Sequence, residues 1–153
     1  MKNIFRRNLL ADGSRRENDA EHSWHLAMLA MLLEEYSAEK IDVNRVIRIA
    51  LVHDLVEVYA GDTFAYDVKG NEDKLDREIM AAEKLFGMLK DGQGDEIRAL
   101  WDEFEAFETA DAKYAHMLDR LQPFLLNDAS EGVSWKAHGV RRDQIEKRAA
   151  IAG

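Results

Sequence analysis

The chain has 153 residues, 46% of them hydrophobic and 33% charged, with a formal net charge of −9. That balance suits one soluble domain, residues 1–153, with a core of its own, and excludes a disordered segment. The negative charge argues against a general role on nucleic-acid phosphates, though not against a small phosphorylated ligand in a local basic pocket. There is no cysteine, which excludes disulfides and thiolate zinc sites. No apolar run reaches the ~20 residues needed to span a bilayer, and the Arg6-Arg7 pair is not followed by the apolar stretch of a secretory signal. The expected class is a cytoplasmic enzyme or binding domain, without a membrane or nucleic-acid partner.

A single proline and little Val/Ile/Thr alternation predict helices and not a sheet. After a short basic first segment, Asn18 or Asp19 is placed to cap a helix running to about Tyr36, with Trp24, Met28, Met31 and Leu32 as its core face. Asp42 caps a second helix that reaches the run Leu51 to Asp62. Gly61 opens a polar loop through Gly70-Asn71. A third helix spans Asp73 to Leu89, and Ile97, Leu100, Trp101 and Phe104 mark a fourth. Thr109 caps a fifth, from Ala110 to about Leu126, which Pro123 is expected to kink or shorten. Gly132 and Gly139 predict a loop before a last short helix over Arg141 to Ala150. The predicted fold is an all-α bundle of about five to seven helices.

The run Leu51-Val52-His53-Asp54-Leu55-Val56-Glu57 carries titratable groups inside an apolar helical segment, which is costly as packing alone. A neutral imidazole beside a carboxylate is a good half-site for a divalent metal. Glu57 follows His53 by one turn, and Asp62 lies just past Gly61. His22, at the start of the first long helix, and Asp119, bracketed by Leu118 and Leu121, are the inward-facing candidates for the other half. Together these would offer two nitrogens and at least two oxygens to one octahedral or five-coordinate ion. Arg7, Arg15 and Arg16 precede the helix that bears His22 and are the candidate phosphate-binding cations.

The order His22, His53-Asp54, Asp119 resembles that of the HD-domain phosphohydrolases. Glu17-Asn18-Asp19-Ala20-Glu21-His22-Ser23-Trp24, His53-Asp54-Leu55-Val56-Glu57 with Gly61-Asp62, and Leu118-Asp119-Arg120-Leu121 are similar to the branch that contains the 5'-deoxynucleotidases. The resemblance implies one divalent ion, often cobalt or manganese, held by His22, His53, Asp54 and Asp119. It also implies Glu57 and Asp62 beside the attacking water and the scissile phosphate, a deoxynucleoside 5'-monophosphate substrate and a homodimer. The family's phosphate-binding arginine matches Arg7. Relatives tend to carry a tryptophan next to it that helps choose the sugar, and here the neighbour is Asn8.

Other readings of the same residues stay open. His25 and His116, one turn from His22 and Asp119, invite a second metal. Hydrolysis of a nucleoside triphosphate or another small phosphate ester, and a non-catalytic nucleotide or metal sensor, share the fold. Trp24, Trp101 and Trp135 are expected in the core before they are expected on a base. Glu103, Glu105 and Glu108 read as a solvated helix face, Glu78 as surface or site, and Arg120, next to Asp119, as part of a structural ion pair before a substrate contact.

Overall fold

The computed structural model describes residues 1–150. Its architecture is an all-α bundle, α1 (Asp19–Leu32), α2 (Val43–Val52), α3 (Glu57–Ala60), α4 (Lys74–Phe86), α5 (Gln93–Ala106), α6 (Ala110–Ala129), α7 (Val133–Ala137) and α8 (Arg142–Ala150), preceded by a hairpin of β1 (Phe5–Leu9) and β2 (Arg16–Asn18). Among the described residues no helix is long and apolar enough to cross a membrane. The core is built where α2 packs on α1, α5 and α6, around Leu26, Val46, Ile49, Leu100, Trp101 and Leu118.

Local chemistry sets the helix starts. Asn18 accepts a hydrogen bond from the Glu21 amide at 3.0 Å, and Glu21 Oε2 accepts one from the Asn18 amide at 3.2 Å, a reciprocal cap on α1. Asp42 accepts from the Asn44 and Arg45 amides, and Thr109 from that of Ala112. Pro123 does not shorten α6, which runs through it to Ala129.

Several expectations change. The basic first segment is the hairpin, and its pairing slips between Phe5↔Asn18 and Leu9↔Arg16, so Arg6, Arg7 and Asn8 lie in a bulged stretch of β1. The expected loop between Gly132 and Gly139 holds α7. The run from Leu51 onward is not one helix: α2 ends at Val52, i→i+3 bonds (Val52 O from Leu55 N, Asp54 O from Glu57 N) tighten the backbone, and α3 follows.

The expected core face of α1 is also wrong. Trp24 is 64% exposed, Met31 57% and Leu32 65%, while His22, Ser23, Leu26, Ala27 and Ala30 are buried. Apolar residues surround this helix on several sides, so hydropathy alone could not choose. Ala27 and Ala30 are buried on the inner side, and His22 finds its partners, Asp119 and Gln122, only there. Of the other tryptophans, Trp101 is core, and Trp135 is half-buried with its ring edge-on to Phe124.

This orientation of α1 has a measurable consequence. Leu26→Ala is expected to cost about 2–5 kcal/mol of unfolding free energy, and Leu32→Ala less than about 0.5 kcal/mol, in urea titrations followed by circular dichroism. Equal losses would overturn the assignment.

Candidate metal centre

The centre sits where α1, the end of α2 and the middle of α6 meet. His22 comes from the first turns of α1, His53 and Asp54 from the tightened segment after α2, and Asp119 from α6. His22 Nε2 lies 3.1 Å from Asp119 Oδ1 and 3.8 Å from Asp54 Oδ2; His53 Nε2 lies 3.1 Å from Asp54 Oδ2 and 3.8 Å from Asp119 Oδ1. Neighbouring ligands at about 2.1 Å from a divalent ion sit about 3 Å apart, so the spacing suits one ion with little movement.

The protonation pattern tests the fit independently. His53 Nδ1 is 2.8 Å from the Ala50 carbonyl, which can only accept, so the ring proton sits on Nδ1. His53 Nε2 then turns a bare lone pair to Asp54, and it has no hydrogen-bond partner among the described residues. His22 Nδ1 likewise faces Gln122 Oε1 at 3.1 Å, leaving Nε2 towards Asp119. Two imidazole lone pairs facing two carboxylates repel unless a proton or a metal ion lies between them, and a donor set of two nitrogens and two oxygens at this spacing fits a divalent ion.

Without an ion the two histidines shift in opposite directions. Burial opposes ionisation of Asp54, yet the His53 and Arg6 charges hold it below the usual carboxylate range. Asp119, equally buried, is held well below its usual value by the neighbouring His22, His53 and Arg6 side chains. Burial, then the Arg6 charge, lowers His22. Burial lowers His53, but Asp54 and Asp119 together raise it, so a positive charge is favoured where its Nε2 meets the two carboxylates.

Glu57 and Asp62 stand beside the tetrad, grouped with Asp19 so that one carboxylate oxygen of each lies within 4.8 Å of the others. Asp19 is fully buried, and neither of its carboxylate oxygens has a hydrogen-bond partner among the described residues. Burial first, then the Asp54 charge, pushes Glu57 up to about 10 and Asp19 up to about 7. Asp62 is raised for the same first reason.

The arginine expectations divide. Arg15 is spent on Glu21, with Nη2 2.6 Å from Oε1 and its side chain half exposed, and Arg16 bonds the Arg6 and Phe5 carbonyls across the hairpin; neither lines the cleft over the tetrad. Arg7 lines its rim with an exposed side chain. The cation that reaches the centre is Arg6, which sequence reasoning missed: Nη1 is 2.5 Å from Asp54 Oδ2 and Nη2 3.7 Å from Asp119 Oδ1. In a strand neighbouring side chains point to opposite faces, and Arg6 and Asn8 turn inward while Arg7 turns out. Asn8 lines the cleft, its Oδ1 3.4 Å from Asn127 Nδ2.

The remaining groups also find places. His116 stacks on Phe104 at 3.7 Å between centroids, with Nε2 2.8 Å from the Phe104 carbonyl, and His25 Nδ1 meets Gln122 Nε2 at 3.1 Å. Both histidines thus have partners outside the tetrad. Glu78 belongs to the cleft, buried, with Oε1 3.4 Å from Lys74 Nζ. Glu105 lines the cleft as well, so the acidic run is not one solvated face: Glu103 pairs with Arg45 and accepts from Thr109 Oγ1. Arg120 lines the cleft with its guanidinium over the Phe107 ring. No pattern of hydropathy or spacing marks Arg6, Lys74 or Gln122. The only available signals were a basic residue near the start, a lysine one turn before Glu78 and a glutamine three residues after Asp119.

Comparison with known proteins follows the same lines. The 5'-deoxynucleotidase HDDC2 of Xenopus laevis is 37% identical over 109 residues, 71% of this chain and 53% of that protein. The human protein of the same name is 30% identical over 122 residues, 80% of this chain and 58% of that protein. The chain thus spans about half the length of the curated relatives it matches. A crystal structure from Magnetospirillum magnetotacticum, described as a predicted metal-dependent phosphohydrolase, superposes with a TM-score of 0.91 at 53% identity, covering 98% of this chain and 76% of that one. The HD-domain profile matches residues 1–152, and the chain belongs to the HD-domain family.

Proposed function

We propose that this protein is a divalent-metal-dependent phosphohydrolase that releases phosphate from nucleoside 5'-monophosphates, deoxynucleotides among them. The observation that carries the reading is the pair of imidazole lone pairs facing Asp54 and Asp119, with Arg6 and two further carboxylates alongside. His22, His53, Asp54 and Asp119 would hold one ion, with cobalt or manganese as the first candidates. The names of the curated relatives support the substrate class.

A bound divalent ion lowers the pKa of its water and neutralises charge on phosphoryl oxygens. The chain supplies the rest. Arg6 leaves Asp54 for the non-bridging phosphoryl oxygens, where its fixed charge opposes the charge that grows in the transition state. With the charge of an ion at the tetrad opposing the upward shift that burial imposes on it, Glu57 would be ionised and would receive the proton of the attacking water as its oxygen bonds phosphorus. The bond from phosphorus to the 5'-oxygen breaks, and Asp62 either orients the water or returns a proton to that oxygen. Burial from bulk water strengthens each of these interactions.

The reading includes a cytoplasmic homodimer. A cysteine-free composition is compatible with the compartment. The exposed Trp24, Met31, Leu32 and Tyr36 offer apolar area of the kind that a subunit contact covers.

Metal-free protein resupplied with Co²⁺ or Mn²⁺ is expected to release inorganic phosphate from a panel of nucleoside monophosphates, and Asp119→Ala to lose both the ion and the activity. Turnover of none of the panel by protein with the ion bound would sink the proposal. Arg6→Ala is expected to lower kcat/KM about 10²-fold or more, and Arg7→Ala by less than about tenfold, in steady-state assays. Glu57→Gln is expected to lower kcat by about 10²-fold or more while Co²⁺ binding at the tetrad, followed by its visible absorption, persists.

A further inference from the structure

The orientation of His22 is decided by a side chain with none of the roles above. Gln122 lies on α6 three residues after Asp119 and is fully buried. Its amide meets His22 Nδ1 at 3.1 Å through Oε1, Glu17 Oε1 at 2.6 Å through Nε2, and His25 Nδ1 at 3.1 Å through Nε2. An amide has one accepting and one donating end. The Glu17 carboxylate, itself buried, accepts the N–H, which turns the amide oxygen to His22.

That direction has a chemical consequence. An oxygen facing Nδ1 can only accept, so His22, kept neutral by its burial, carries its proton on Nδ1 and leaves Nε2 bare. With the amide reversed, Nδ1 would become the acceptor and the proton would move to Nε2. There, 3.1 Å from Asp119 Oδ1, it would close a neutral imidazole–carboxylate hydrogen bond and occupy two of the atoms that face the ion.

We infer that Gln122 is a positioning residue that locks His22 in the Nδ1–H tautomer and so keeps Nε2 open to the metal, with Glu17 setting the direction of the amide. The inference rests on the metal-site reading for its consequence, but the tautomer itself is a property of the metal-free protein. Groups that orient a ligating histidine typically change metal affinity by about 10–100-fold when removed.

The test uses two measurements on the full chain. Long-range ¹H–¹⁵N spectra of the imidazole rings in metal-free protein report which nitrogen of His22 holds the proton. Titration with Co²⁺, followed by visible absorption and calorimetry, reports affinity. The wild type is expected to show Nδ1–H. Gln122→Met, which keeps the volume and removes the acceptor, is expected to move protonation towards Nε2 and to weaken Co²⁺ about 10–100-fold. The double variant Gln122→Glu with Glu17→Gln exchanges the donor and acceptor between the partners while keeping an acceptor on His22. It is expected to retain Nδ1–H and to bind Co²⁺ more tightly than Gln122→Met.

A wild-type proton on Nε2 would overturn the inference, as would folded Gln122→Met with wild-type tautomer and affinity. If Gln122→Met does not fold, the wild type and the double variant decide, and Nε2–H in either overturns it. Failure of wild-type protein to bind Co²⁺ at all would instead sink the metal-site reading, with the tautomer result still standing.

Discussion

Two imidazole nitrogens and two carboxylate oxygens from three separate parts of the chain, each nitrogen 3.1–3.8 Å from both oxygens, are the constraint to which the structure answers. Packed without a cation, such a set combines desolvation with repulsion between lone pairs. The protein meets that cost with the Arg6 guanidinium and with carbonyl or amide acceptors that hold each ring proton away from the centre. Asp19 and Glu57 add further buried carboxyl groups with unpartnered oxygens, and this excess of acceptors favours a cation at the centre.

The packing serves the same centre. The capping box starts α1 so that His22 falls on its inner side, where its ring faces that of His53 with centroids 5.5 Å apart. The tightening after Val52 shortens the path between Asp54 and Glu57, placing the proposed metal ligand and the proposed proton acceptor at one cleft. On the far side, α6 supplies Asp119 and Gln122 from adjacent turns, so a single rigid element carries both an ion-facing oxygen and the amide that orients the opposite ring.

The hairpin is the least regular part of the fold, and its irregularity is useful. A regular two-stranded ladder would continue the pairing set at Phe5; the slip before Leu9 instead lets the strand bend towards the bundle and deliver Arg6 and Asn8 to the cleft. Arg16 holds the bend from across the hairpin through the carbonyls of Phe5 and Arg6.

By itself the sequence determined the helical class, most helix starts and the identity of the histidines and aspartates that meet. Those follow from local rules: an Asn, Asp or Thr side chain caps its own helix, and a titratable group in an apolar run must have a partner. Tertiary structure alone decided which side of α1 is buried, because a helix with apolar residues on several faces takes its orientation from its neighbours. It also decided that Arg6 and not Arg7 enters the centre, since one residue of slip in a strand exchanges inside for outside. Gln122 was invisible for the same kind of reason: its role consists of contacts to Glu17, His22 and His25, about a hundred residues away, and no local pattern encodes them.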